Sequence, residues 1–129
     1  MKVLIVDDSA TIRMMLKGIL KQINITDVME AGDGAQALEI LTKESVQLLL
    51  LDIHMPKMDG LKCLECVKST ERTATIPVII ISSDTVQTQL DRARDLGAHA
   101  YIKKPFRIEG LRNALAACLP EWQEPAPKV

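Results

Sequence analysis

Three carboxylates, a hydroxyl and an ammonium group are spaced along this sequence so that one kind of chemistry would account for them together: Asp7, Asp8, Asp52, Ser82 and Lys104. Carboxylates forced into one place repel each other, and burying them without a partner is costly or raises one pKa. A hard cation resolves the conflict. Mg²⁺ takes oxygen ligands in an octahedron and keeps some waters, so two or three carboxylates with a backbone carbonyl form an incomplete cage whose open positions suit phosphate oxygens. A phosphoryl group in transfer spreads charge over its equatorial oxygens and calls for a metal, a cation and a hydrogen-bond donor around an in-line nucleophile. With Asp52 as nucleophile, Lys104 and Ser82 fill the remaining roles, and the product is an acyl phosphate.

Taken singly, each residue has a plainer reading. Asp7-Asp8 ahead of a helix could serve as its N-cap. Lys104 could be a solvated surface lysine, and Ser82 a strand-end hydroxyl bonded to backbone. The inference rests on their common placement at strand ends, so the elements that position them matter.

Short runs rich in Val, Ile and Leu recur at Val3–Val6, Val28–Ala31, Leu48–Leu51, Val78–Ile81 and Ala100–Ile102, and predict buried strands. Between and after them the apolar spacing turns helical. Ile12, Met15, Leu16, Ile19 and Leu20 mark a first helix, and Ala37, Leu38 and Leu41 a second. Leu61, Leu64 and Val67 mark the third, Val86, Leu90, Ala93 and Leu96 the fourth, and Ile108, Leu111, Leu115 and Leu119 the fifth. Strands alternating with single helices imply parallel pairing by right-handed crossovers, hence a doubly wound α/β sandwich. In such a sheet ligands bind outside the carboxyl ends of the strands, at the switch in strand order. Asp7 and Asp8 follow the first strand, Asp52 the third, Ser82 the fourth, and Lys104 lies just past the fifth.

The chain of 129 residues is the size of one domain, and at 2% aromatic residues its core must be filled by branched aliphatics and Met. A net charge of −1, with both signs scattered, disfavours nucleic acid or an anionic membrane as the main partner. The apolar run at the N-terminus meets Asp7 too soon to be a signal peptide or a membrane span, so a cytoplasmic protein is expected. Cys63, Cys66 and Cys118 are an odd number, which argues for reduced thiols. The C-x-x-C spacing of Cys63 and Cys66 lacks the second pair of a zinc site and falls inside a predicted helix, against a redox role. Gly32-Asp33-Gly34 reads as a turn, not a phosphate loop, because no Gly-Lys-Ser/Thr follows. Beyond Leu119, three prolines in ten residues end the helical pattern, giving a domain over 1–119 and a tail or linker over 120–129, with Trp122 expected to pack back on the domain.

The stretches Val3-Leu4-Ile5-Val6-Asp7-Asp8-Ser9, Leu51-Asp52-Ile53-His54-Met55-Pro56-Lys57-Met58-Asp59-Gly60, Pro77-Val78-Ile79-Ile80-Ile81-Ser82-Ser83 and Lys104-Pro105-Phe106 together resemble the receiver domains of two-component response regulators, most closely the stand-alone chemotaxis type. The resemblance covers about Lys2 to Leu119. It implies a flavodoxin-like five-stranded parallel sheet in the order 2-1-3-4-5 with five helices. It makes Asp52 the phosphoacceptor, with Asp7, Asp8, Asp52 and the backbone carbonyl of His54 around Mg²⁺, for which Mn²⁺ could substitute. Lys104 would pair with the phosphoryl oxygens, Ser82 would hydrogen-bond them, and Tyr101 would be an aromatic switch turning inward as Ser82 moves. It further implies a cis Lys104-Pro105 bond, a Gly60 that relieves the turn after the acceptor loop, and a small Ser83 that leaves room for the phosphoryl group. The imidazole of His54 and its counterpart Asp84 would tune dephosphorylation; His54 as a direct metal ligand is disfavoured because Mg²⁺ prefers oxygen.

On this reading the protein is a signalling module, not an enzyme acting on other substrates. It takes its phosphoryl group from a histidine kinase or phosphotransfer domain, dephosphorylates itself, and binds a downstream protein through its fourth helix, fifth strand and fifth helix. Whether it stands alone or belongs to a longer protein stays open. A Mg²⁺-dependent phosphohydrolase would place a second Asp where His54 stands and add a cap domain. A purely structural receiver-like module would lack part of the acidic set, which is complete here.

Overall fold

The computed structural model describes residues 1–55, 59–83 and 87–120. Five strands alternate with five helices: β1 (Lys2–Val6), α1 (Ala10–Gln22), β2 (Asp27–Ala31), α2 (Gly34–Lys43), β3 (Leu48–Leu51), α3 (Gly60–Ser69), β4 (Val78–Ser82), α4 (Gln87–Asp95), β5 (Ala100–Lys103) and α5 (Ile108–Cys118). The strands form one sheet in the order β2-β1-β3-β4-β5. Every pairing is parallel, as crossover helices require. The elements lie where the apolar pattern predicts them, with ends shifted by a residue or so. Ser82 is the last residue of β4 rather than the first beyond it.

Side-chain alternation along the strands divides the core in two. Leu4, Val6, Leu49, Leu51, Val78 and Ile80 face Ala37 and Leu41 of α2, Cys63, Leu64 and Val67 of α3, and Ala93 of α4. Val3, Ile5, Leu48, Leu50, Ile79 and Ile81 face Leu16 and Leu20 of α1 and Leu111, Ala114 and Leu115 of α5. Because both faces are covered, β3 and β4 are buried along their whole length, which is why they read as unbroken apolar runs. Truncating a residue such as Leu50 to Ala would cost about 2–5 kcal/mol by opening a cavity.

Helix starts follow local capping chemistry. The Ser9 hydroxyl accepts from the Ile12 N–H at 3.2 Å, Asp33 Oδ1 from Gln36 N–H at 2.8 Å, and Asp59 Oδ1 from Lys62 N–H at 2.8 Å. Ser9 therefore caps α1, which releases Asp7 and Asp8 from that role. Asp33 makes Gly32-Asp33-Gly34 a turn into α2, as the sequence suggested. Gly97, just past α4, has φ +108°, a backbone that favours glycine. The three cysteines are free, and burial pushes the Cys63 thiol up to about 12, so that it is inert. Trp122, with the rest of 121–129, and Asp84 and Val86 lie outside the described residues.

Candidate functional site

The parallel ladder carries the acidic residues past the strand ends without a break. The Asp7 N–H donates to the Ala31 carbonyl at 3.1 Å, and the Asp52 N–H donates to the Val6 carbonyl at 2.9 Å. Both carboxylates thus emerge where β1 is flanked by β2 on one side and β3 on the other, the switch point of the sheet. Carboxylate oxygens of Asp7, Asp8 and Asp52 all lie within 4.8 Å of one another. Asp7 and Asp52 are buried, at 2% and 6% exposure, while Asp8 opens to solvent.

Lys104 reaches in from just beyond the carboxyl end of β5, and the bond that joins it to Pro105 is cis. Its ammonium lies 2.8 Å from Asp7 Oδ2 and 3.5 Å from Asp52 Oδ2. Burial alone would pull its pKa down, but the Asp7 hydrogen bond and the charge of Asp52 outweigh burial and raise it, keeping the lysine cationic. For Asp52, burial pushes the carboxyl above its ordinary value. Lys104 opposes that push, neighbouring Asp7 adds to it, and the backbone N–H of His54 favours the charged form. One ammonium against three carboxylates leaves excess negative charge in a poorly hydrated place. The all-oxygen donor set and that uncompensated charge fit a hard divalent cation held by Asp7, Asp8 and Asp52.

Ser82 is fully buried at the end of β4. The register that pairs Leu51 with Ile80 sets it beside the residues just after Leu51. Its carbonyl accepts from the Lys104 N–H at 2.9 Å and from the Tyr101 hydroxyl at 3.3 Å, so one peptide group ties the lysine to the aromatic residue. Tyr101 is half-buried, packed against the core face shared by α2, α3 and α4. The His54 side chain is exposed, as is Ser83.

Gly60 needs to be glycine for a reason other than turn relief. It has no left-handed φ; a Cβ there would overlap the Asp52 carbonyl oxygen and come within 2.6 Å of Ile53 Cα. The start of α3 presses directly on the Asp52–Ile53 backbone that follows β3, and the Gly60 N–H donates to the Ile53 carbonyl at 2.6 Å.

The chain as a whole is similar to known proteins. The family model of the response regulator receiver domain matches residues 3–116. The chain belongs to that family. A Rhizobium etli protein named "Probable chemotaxis protein CheY" is 38% identical over 116 residues, 90% of each chain. The Helicobacter pylori chemotaxis protein CheY1 is 36% identical over 120 residues, 92% of this chain and 97% of the other. Among solved structures, Vibrio cholerae chemotaxis protein CheY4 superposes with a TM-score of 0.84 at 30% identity, covering 92% of this chain and 98% of the other. This receiver domain is therefore a CheY-like two-component signalling fold, and its strand order is the one the resemblance implies.

Not all of the site was visible in the sequence. Arg13, on α1, donates from Nη1 to the Asp7 carbonyl at 2.6 Å and from Nε to Glu30 Oε1 at 3.0 Å. A signal for it existed: a cation in the first turns of a helix opposes the macrodipole and so needs another partner.

Proposed function

We propose that Asp52 accepts a phosphoryl group from the phosphohistidine of a histidine kinase or phosphotransfer domain. The observation that carries this reading is the Asp52 carboxylate, buried at the switch point between the Lys104 ammonium and the carboxylates of Asp7 and Asp8. An Asp52 oxygen attacks phosphorus, the P–N bond to the donor imidazole breaks as the P–O bond forms, and the neutral imidazole leaves with a proton from solvent. Asp7, Asp8 and Asp52, with the His54 carbonyl, would hold Mg²⁺, or Mn²⁺ in its place, which would supply positive charge to offset that of the phosphoryl oxygens. Lys104 moves its ammonium from the carboxylates toward the added oxygens, and the Ser82 hydroxyl donates to another.

Hydrolysis reverses the modification: a water oxygen attacks phosphorus, the Asp52 O–P bond breaks, and inorganic phosphate leaves. His54, exposed two residues beyond the acceptor, and Asp84 tune how readily that water arrives. Ser82 conveys the change through its carbonyl to Tyr101, and so to α4, β5 and α5, where a downstream protein docks. A cleft of about 230 Å³ between α4 and β5, lined by Ile80, Leu90, Ala93 and Tyr101, supports this surface as responsive to the Tyr101 ring. The receiver would span 1–119, since Leu119 still packs on the core, and operate in the cytoplasm. Among the described residues no helix is long and apolar enough to cross a membrane.

The direct experiment is incubation with Mg²⁺ and acetyl phosphate followed by intact-mass measurement. A single labile phosphate adduct that requires Mg²⁺ is expected. Absence of any adduct under those conditions, with a phosphorylated kinase domain also failing as donor, would overturn the reading.

A further inference from the structure

We infer that Arg13 is a positioning residue for the metal-binding turn: its guanidinium fixes the Asp7 carbonyl, and thereby the Asp7 and Asp8 carboxylates, for divalent-cation binding. This rests on the reading of Asp7, Asp8 and Asp52 as a Mg²⁺ site. Arg13 is on the second turn of α1, with its side chain 20% exposed. It spans two acceptors with one rigid fork, Nη1 on the Asp7 carbonyl at 2.6 Å and Nε on Glu30 Oε1 at 3.0 Å. Glu30 is on β2 and is braced a second time by Lys17 Nζ, 3.2 Å from Oε2. These charges hold its carboxyl below the usual range although burial works in the other direction. The arginine therefore has a fixed, ionised anchor.

The other polar group of the Asp7 backbone is also held, because its N–H donates to the Ala31 carbonyl on the same strand β2. With both peptide groups of Asp7 fixed to β2, directly or through Arg13, the residue has little freedom to rotate. Its side chain in turn places two neighbours: Oδ1 accepts from the Ser9 N–H at 2.9 Å, and Oδ2 accepts from Lys104 at 2.8 Å. Carbonyl–guanidinium contact also biases the peptide joining Asp7 to Asp8, so the orientation of Asp8 depends on it. Groups that hydrogen-bond to metal ligands rather than to metal commonly set affinity by holding those ligands in place. A lysine cannot reproduce the arrangement, since a single ammonium on a flexible stem lacks the planar fork that reaches both acceptors.

The test is calorimetric titration of the metal-free full chain with MgCl₂ alone, for the wild type, Arg13→Met and Arg13→Lys, with the melting temperature of each in chelator. Arg13→Met is expected to weaken Mg²⁺ binding on the order of 10-fold, and Arg13→Lys to fall between it and the wild type. A purely structural arginine would lower the melting temperature in chelator and leave the Mg²⁺ Kd unchanged. An unchanged Kd in Arg13→Met overturns the inference; if that variant does not fold, an unchanged Kd in Arg13→Lys does so. Absence of Mg²⁺ binding by the wild type would instead strike the metal-site reading itself.

Discussion

The Lys104 ammonium is held more closely by Asp7, at 2.8 Å, than by the proposed phosphoacceptor Asp52, at 3.5 Å. In this arrangement it partly neutralises two buried carboxylates and occupies the side of the site from which a divalent cation would also be attracted. Lys104→Met removes that charge and leaves both carboxylates without their cation. The variant should be less stable than the wild type in chelator, by roughly 1–3 kcal/mol for a partly buried charged contact, and should gain more stability from Mg²⁺ than the wild type does. Melting curves with chelator and with millimolar MgCl₂ measure both effects. Equal Mg²⁺ stabilisation of the two proteins would contradict the sharing of these carboxylates between lysine and metal.

Asp52→Asn should abolish base-labile phosphorylation, because an amide oxygen is not a competent nucleophile here. The same substitution should raise the melting temperature in chelator. Burial and the neighbouring Asp7 push the Asp52 carboxyl above its ordinary value despite Lys104, so its ionised form opposes folding at neutral pH. That advantage should shrink when Mg²⁺ is added. Undiminished phosphate labelling of the variant would remove Asp52 from the acceptor role.

Much of this was legible in the sequence for identifiable reasons. β3 and β4 are buried on both faces, so Leu48–Leu51 and Val78–Ile81 show as apolar runs with no polar interruption. The acidic residues stand immediately after strands, and the parallel fold puts those ends on one edge. Which residue caps α1 was not legible, because Asp8 and Ser9 could equally well begin the helix; the Ser9–Ile12 hydrogen bond gives that role to Ser9. Contacts such as Lys104 with Asp7, 97 residues apart, or Arg13 with the Asp7 carbonyl depend on side-chain reach across elements, which residue spacing does not encode. The role of Gly60 was similarly hidden: backbone proximity between α3 and the Asp52–Ile53 loop is a property of packing, whereas the sequence shows only a glycine after a turn.

Gly60→Ala tests that packing. The added methyl would collide with backbone atoms of Asp52 and Ile53, which cannot swing aside as a flexible side chain could. Displacing α3 or the acceptor loop should cost about 1–3 kcal/mol or more, and phosphorylation by acetyl phosphate should slow because the nucleophile itself is displaced. Denaturant unfolding and timed intact-mass measurements give the two numbers. A variant with wild-type stability and labelling rate would show that the loop yields without consequence.

His99 predicts a pH dependence remote from the acidic site. Its Nδ1 accepts from the Val78 N–H at 3.3 Å, and the His99 backbone N–H donates to the Val78 carbonyl at 2.8 Å. Partial burial, reinforced by the Lys68 charge, holds the imidazole below its ordinary value of 6.5. The unfolded chain then binds more protons than the folded one between the two values. The stabilisation is fully present above about pH 6.5 and is lost as pH falls through the lower folded value. Melting temperatures between pH 7.5 and 5 should therefore fall more steeply for the wild type than for His99→Gln. Parallel pH profiles would show that protonation of His99 is not coupled to folding.

The last prediction concerns Ser82 and Tyr101. Ser82 is fully buried and its carbonyl accepts from both the Lys104 N–H and the Tyr101 hydroxyl, so a displacement of Ser82 toward an added phosphoryl group cannot leave Tyr101 undisturbed. A phosphoryl dianion near the Ser82 hydroxyl and Lys104 creates charge-assisted hydrogen bonds absent from the unmodified protein, of about 1.5–3 kcal/mol each. That is enough to shift a two-state equilibrium about tenfold or more. Beryllofluoride with Mg²⁺, a stand-in for the phosphoryl group, should move the Tyr101 ring resonances in NMR spectra of the wild type. In Tyr101→Phe, which lacks the hydroxyl donated to Ser82, resonances of α4 and β5 should respond less to the same ligand. Tyr101 and Ser82 resonances that stay fixed while those of Asp52 shift would separate phosphorylation from the proposed output surface.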